Sequence, residues 1–248
     1  MKLIDVHAHL ESSRFEEDLD LVIDRFRKAG GEVIVNSGTD PERNRKTLEL
    51  AKRFDCVRCS FGMYPIGDYE DVDGELDWIE EHKDVCVAIG EIGMDFNEGR
   101  GDFEKQKKLF VKMLGFVKKI GKPVVIHSRK AEEEVIEILE ELEMGRVVMH
   151  CFCGKKKLIK RGIENGWSFS IPPNITRLEH FKMLVEMVPL KQLLTETDSP
   201  YLSPVAGERN EPANVSVTIK EIGKIKGLSE EKVSEQIFNN FSNLFNLS

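Results

Sequence analysis

Val124-Val125-Ile126-His127-Ser128-Arg129 gives way to a helical stretch over 131–141 and then to Val147-Val148-Met149-His150. Each apolar, β-branched run is too short for a helix and reads as a buried strand, while the stretch between them is long enough for a crossover helix. Strand, helix, strand in that order is a βαβ unit, whose strands run parallel and end on the same side of the sheet. A histidine closes both runs, so the stretch predicts a parallel α/β sheet with two imidazoles on one rim.

The same alternation extends in both directions. Further strand candidates begin at Leu3-Ile4-Asp5-Val6, Val33-Ile34-Val35, Val57-Arg58-Cys59-Ser60-Phe61, Val85-Cys86-Val87-Ala88-Ile89, Ser168-Phe169-Ser170-Ile171 and Leu193-Leu194-Thr195. Helices are expected over 15–28, 41–53, 75–81, 103–120, 131–141, 155–164, 178–188 and 213–225, with Asp40 and Pro41 supplying a cap and first turn to the second. Eight such units in 248 residues fit one (β/α)8 TIM barrel spanning 1–248, because barrels of this kind run to about 250 residues. An additional C-terminal helix over 230–245 should pack outside it, and no linker or low-complexity segment interrupts the alternation.

Composition narrows the function classes. With 40% hydrophobic and 32% charged residues the chain has a globular balance, and its net charge of -8 argues against holding nucleic acid by general electrostatic attraction. A phosphate substrate would have to be held locally, for which bound metal ions are suited. The N-terminus meets Asp5 before any secretory apolar run, and no segment approaches the roughly 20 apolar residues of a membrane span, so no membrane partner and a cytoplasmic location are expected. Five cysteines cannot all pair internally and are read as thiols. Cys56 and Cys59 have CxxC spacing but fall on a strand, where alternate faces separate them, and Cys151 and Cys153 read as packing residues beside His150.

The chemistry-bearing residues sit at strand ends. His7 and His9 are two apart on the first strand and should face one side; His127 and His150 close the fifth and sixth strands; Asp198 follows the eighth. Glu91, between Gly90 and Gly93 after an apolar run, is placed to bridge two ions about 3.5 to 4 Å apart. Asp5 reads as a supporting acceptor for a histidine or an ordinary buried polar contact, Asp95, close to Glu91, as a supporting group or a turn residue, and His82 and His180, in charged helical surroundings, as surface residues. Ser128 and Arg129 beside His127, and Arg209 in the final loop, are candidate phosphate contacts.

Five ordered segments, DxHxH at Asp5 to His9, GEIGMD at Gly90 to Asp95, VVIHSR at Val124 to Arg129, HCFCG at His150 to Gly154 and TETDSPYL at Thr195 to Leu202, resemble the TatD-like metal-dependent deoxyribonucleases of the amidohydrolase superfamily. The segment Asn210-Glu211-Pro212-Ala213-Asn214-Val215 adds to the match, which covers nearly the whole chain. The resemblance implies two divalent ions, one on His7, His9 and Asp198, the second on His127 and His150, with Glu91 between them. One departure stands out: the family usually carries GxHP after the third strand, and here Tyr64 replaces that histidine in Gly62-Met63-Tyr64-Pro65, where it becomes a candidate substrate contact.

The expected reaction is hydrolysis of a DNA phosphodiester by a metal-activated water, with Asp198 assisting proton transfer and Glu91 fixing the geometry. His and carboxylate donors accept Zn, Mn, Mg, Co or Fe, so the metal is not selected by the sequence. The rival readings are a small-molecule amidohydrolase or lactonase using the same binuclear site, and a barrel that binds a partner without turnover.

Overall fold

The computed structural model describes residues 1–99 and 102–246. Eight parallel strands pair in chain order: β1 (Leu3–Ala8), β2 (Gly31–Ser37), β3 (Val57–Phe61), β4 (Cys86–Gly93), β5 (Val124–His127), β6 (Val147–Met149), β7 (Ser168–Ile171) and β8 (Leu193–Thr195). Between and after them lie α1 (Leu19–Lys28), α2 (Pro41–Arg53), α3 (Val72–Glu81), α4 (Phe103–Ile120), α5 (Glu132–Glu141), α6 (Lys156–Glu164), α7 (Glu179–Met187), α8 (Val215–Lys226) and α9 (Glu230–Phe245). The expected (β/α)8 barrel is the observed one. β1, β4, β6, β7 and β8 are buried along their whole length, because helices cover the outside and side chains fill the inside.

Polar side chains close the barrel between β8 and β1. The Asp5 carboxylate accepts from Thr197 N at 2.9 Å and Thr197 Oγ1 at 2.5 Å, while Asp198 N donates to His7 O at 2.8 Å and His9 N to Ser199 O at 2.8 Å. The seam thus pins the backbone of the His7–His9 segment against that of Asp198. At the opposite, N-terminal end α9 covers the same seam: Asn240 Nδ2 donates to Leu190 O and Leu193 O, each at 2.8 Å, and Ser234 Oγ donates to Lys2 O.

Two helix starts differ from expectation by three residues or more. α1 begins at Leu19, later than 15, because a Ser12-capped 3-10 turn (Ser13–Phe15) first drives Phe15 into the core. α3 begins at Val72, earlier than 75, because the Asp71 side chain caps Gly74 N, and this cap outweighs the poor helix propensity of Gly74. α2 starts as expected, with Asp40 accepting from Arg43 N at 2.9 Å and Pro41 in the first turn. Cys56 and Cys59 are buried, and burial pushes the Cys59 thiol up to about 12, which suits a packing role.

Candidate metal centre

The strand ends bring His7, His9, Glu91, His127, His150 and Asp198 together at the C-terminal mouth of the barrel. His7 Nε2 and His9 Nε2 lie 3.1 Å apart, and Asp198 Oδ1 is 3.5 Å from the first and 3.3 Å from the second. Glu91 reaches both halves of the cluster. Its Oε2 faces His7 Nε2 at 3.5 Å and His9 Nε2 at 3.7 Å, whereas its Oε1 faces His127 Nδ1 at 2.6 Å and His150 Nε2 at 3.8 Å.

These distances suit a metal. A tetrahedral ion with bonds of about 2.0–2.2 Å needs donor-to-donor edges of about 3.4 Å, and the contacts among His7, His9, Glu91 and Asp198 straddle that length. His7, His9 and Asp198 place donor atoms within 4.8 Å of one another, as do His7, Glu91 and His150. His127 stands outside both groups and meets the cluster through Glu91.

The glycines of β4 make Glu91 reachable. Gly93 has a φ of 149°, and a Cβ there would lie 1.9 Å from His127 O; Gly62 packs so close to the Gly90–Glu91 link that a Cβ would lie 2.3 Å from Glu91 N. The pairing register of β4 with β5 shifts between Ile89 and Ile92, a bulge that re-aims the Glu91 side chain into the mouth. Asp198 sits at a φ of 53°, unusual for a non-glycine residue and maintained by its hydrogen bond to His7 O and by Tyr201 N donating to Asp198 O at 2.8 Å.

Acceptors behind the cluster decide which nitrogen of each imidazole faces inward. Ser37 O takes the Nδ1–H of His9 at 2.9 Å, Glu196 Oε2 takes that of His150 at 2.6 Å, and both rings then turn Nε2 to the mouth, the nitrogen a metal would use. For His127 the order is reversed: Asp95 Oδ2 accepts from Nε2 at 3.0 Å, and Nδ1 turns to Glu91. Asp95 serves as support and turn residue at once, since its Oδ1 also accepts from Asn97 N and Glu98 N. Asp5 binds the backbone N–H of His7 at 3.2 Å and not an imidazole.

Charge follows from these contacts. Burial on its own would lower the pKa of His7, but bonding to Asp198 and Glu91 outweighs it and holds the imidazole up at about 9; His127 is likewise held at about 9, where Glu91 and Asp95 overcome burial. Burial opposes ionisation of Glu91 and Asp198, yet the surrounding imidazoles keep both carboxyls well below their ordinary range. Burial pushes Asp5 up to about 7 despite its bonds to Thr197.

The cluster opens into a cleft of about 1740 Å³, which Tyr64, Ser128 and Arg129 border. Tyr64 points its hydroxyl inward, donating to Asp95 Oδ2 at 2.9 Å, and Arg129 pairs with Glu98 at 2.7 Å. Arg209 is placed elsewhere: it grips Asp18 with both terminal nitrogens, at 2.7 and 2.6 Å, and does not border the cleft. His82 and His180 are half-buried, contrary to the surface placement expected. His82 stacks on Trp78 and donates to Trp78 O at 2.8 Å, and His180 donates to Phe152 O at 3.0 Å, so each secures a helix to its neighbourhood. The residues that sequence reasoning did not single out are Glu196 and Ser37. Glu196 carried one signal, its spacing two before Asp198 at a strand end; Ser37 carried only its position at the end of β2.

The model of the TatD related DNase family matches residues 4–246 of the chain. Human deoxyribonuclease TATDN3 is 34% identical over 98% of this chain and 94% of its own length, and a metal-dependent hydrolase of Methanocaldococcus jannaschii is 34% identical over 99% and 97%. Among solved structures, the TatD homologue YjjV of Escherichia coli K12 superposes with a TM-score of 0.92 at 26% identity, covering 99% of this chain and 98% of that one. No described helix is long and apolar enough to cross a membrane. With a (β/α)8 barrel, a carboxylate–imidazole cluster at its mouth and a family match along nearly its whole length, the chain belongs to the TatD related DNase family.

Proposed function

We propose that the protein hydrolyses phosphodiester bonds of DNA with two divalent ions held at the barrel mouth. The observation that carries this reading is the split of Glu91, whose two carboxylate oxygens face different pairs of imidazoles. His7, His9 and Asp198 would hold one ion, His127 and His150 the other, and Glu91 both. Bound there, divalent ions supply Lewis-acid polarisation of a phosphoryl oxygen and lower the pKa of a water.

The chain's own groups do the rest. Asp198, whose side chain keeps 17% exposure while Glu91 keeps 4%, is the carboxylate that opens to the cleft and takes a proton from the attacking water. Ser37, Glu196 and Asp95 hold three of the imidazoles in the tautomers described above. Ser128 and Arg129 border the cleft and would contact a phosphate, for which Arg129 must exchange Glu98. The cleft exceeds the roughly 300–1,000 Å³ of small-ligand pockets, which favours a polymer over a small amide or lactone.

The test is hydrolysis by protein stripped of metal and reloaded with Zn, Mn, Mg, Co or Fe in turn, using single-stranded DNA beside a panel of cyclic amides and lactones. Metal-restored cleavage of DNA is expected. Turnover of an amide or lactone without cleavage of DNA would replace this reading with the small-molecule one.

A further inference from the structure

Tyr201 is 53% exposed at the mouth of the cleft, three residues beyond Asp198. Its backbone is not loose: Tyr201 N donates to Asp198 O at 2.8 Å, and Pro200 O accepts from Asn210 N at 3.1 Å and from Arg14 Nη1 at 3.3 Å. The backbone that carries this exposed ring is thus held in place, three residues from the carboxylate assigned to proton transfer. Leu178 and Ile66, 40% and 41% exposed, border the same cleft.

Arg14 sets this corner apart. Its guanidinium carbon lies 5.9 Å from the centroid of the Tyr201 ring. The other cations bordering the cleft, Arg43, Arg45, Lys46 and Arg129, each pair with a carboxylate, but Arg14 has no such partner among the described residues. An outward aromatic face and an unmatched guanidinium, side by side, have complementary uses: the ring stacks on a flat heterocycle, and the cation takes an anionic oxygen next to it.

We infer that Tyr201 and Arg14 form a nucleotide subsite, with Tyr201 stacking on an unpaired base of the strand and Arg14 binding the adjoining phosphate. This rests on the DNA-hydrolysing reading and adds its selectivity. A base inside a duplex has both faces covered by its neighbours and offers none to the ring, so the subsite favours a single strand or a frayed end. Leu178 and Ile66 supply further apolar wall for the displaced base.

Binding separates the two contacts. A short single-stranded oligodeoxynucleotide, its counterpart with abasic tetrahydrofuran units, and the duplex are titrated into metal-loaded parent, Tyr201→Ala, Tyr201→Phe and Arg14→Gln proteins. Tyr201→Ala should bind the base-bearing strand about tenfold more weakly and the abasic strand with little change, while Tyr201→Phe recovers most of the loss. Arg14→Gln should weaken both strands alike and flatten the salt dependence. Equal affinity of the parent for base-bearing and abasic strands, or an equal loss for both in Tyr201→Ala, overturns the subsite. Cleavage of the single-stranded oligodeoxynucleotide by the metal-loaded parent, followed in parallel, reports on the hydrolase reading: no cleavage sinks that reading, and the binding comparison still decides the subsite.

Discussion

Glu196 accepts the Nδ1–H of His150 at 2.6 Å, and the same carboxylate takes Cys151 N at 2.9 Å and Ser170 Oγ at 2.6 Å. Three donors from two other strand ends thus converge on one fully buried acid, which leaves the ring of His150 a single orientation. Glu196→Gln keeps the shape but brings an amide N–H against one of those donors. We expect metal affinity to fall about 10- to 100-fold, measured by competition with a chromogenic chelator. Affinity within twofold of the parent would show that His150 needs no such support.

Asp198→Asn removes the negative charge and the proton-accepting capacity while keeping the hydrogen bond of Asp198 N to His7 O. The expected result is loss of most hydrolysis with the fold left intact, as read by circular dichroism. Activity within about tenfold of the parent, a barrier difference of roughly 1.4 kcal/mol, removes Asp198 from the chemistry.

The pH behaviour should invert when metal is added. His7 and His127 are held at about 9 in the metal-free protein, above the ordinary imidazole value. A group raised on folding contributes stability that is full below its unfolded pKa and is lost as pH rises through the folded one, so metal-free protein should lose thermal stability between about pH 6.5 and 9. Metal competes with those same protons, and its affinity should rise across that window. Thermal melts of stripped and loaded protein at several pH values check both signs; parallel curves would refute the coupling.

Much of this centre was legible because a strand shows its end in the sequence. His127 and His150 follow runs of three apolar residues, and in a parallel barrel every such end faces one mouth. What lay beyond reach is pairing between distant strands: nothing near His150 announces Glu196 on the far side of β7, and nothing near Arg209 announces that Asp18, 191 residues away, will engage its guanidinium. The starts of α1 and α3 were misplaced for a local reason, a capped 3-10 turn in one case and a glycine inside the first turn in the other.

Gly93→Ala tests the close approach of β4 to β5. The new Cβ would lie 1.9 Å from His127 O at a φ of 149°, which an L side chain rarely adopts. We expect a loss of about 3 kcal/mol or more by chemical denaturation, together with weaker metal binding because His127 must shift. Stability within 1 kcal/mol of the parent would mean that β4 can relax away.

Tyr64 is the residue at which this chain departs from the family's usual histidine, and its hydroxyl meets the metal centre by an indirect route. It donates to Asp95 Oδ2 at 2.9 Å, the same oxygen that accepts from His127 Nε2, and its ring lies tilted 4.9 Å from that imidazole. Burial and the nearby carboxylates of Glu91 and Asp95 raise the phenol pKa, so it remains a donor throughout the working range. Tyr64→Phe removes one of the four donors to Asp95 and leaves His127 and the two backbone N–H groups. A loss of about 1 kcal/mol, some fivefold, is expected in the weaker of two metal-binding steps. Tyr64→His puts an imidazole beside Asp95 and should add a titration to the activity profile between about pH 5 and 8. A direct substrate contact by the hydroxyl predicts another pattern, in which Tyr64→Phe raises KM for DNA and leaves both metal affinities unchanged. Metal titration and steady-state kinetics on the same two variants decide between them, and a KM change without any change in metal affinity would refute the indirect route.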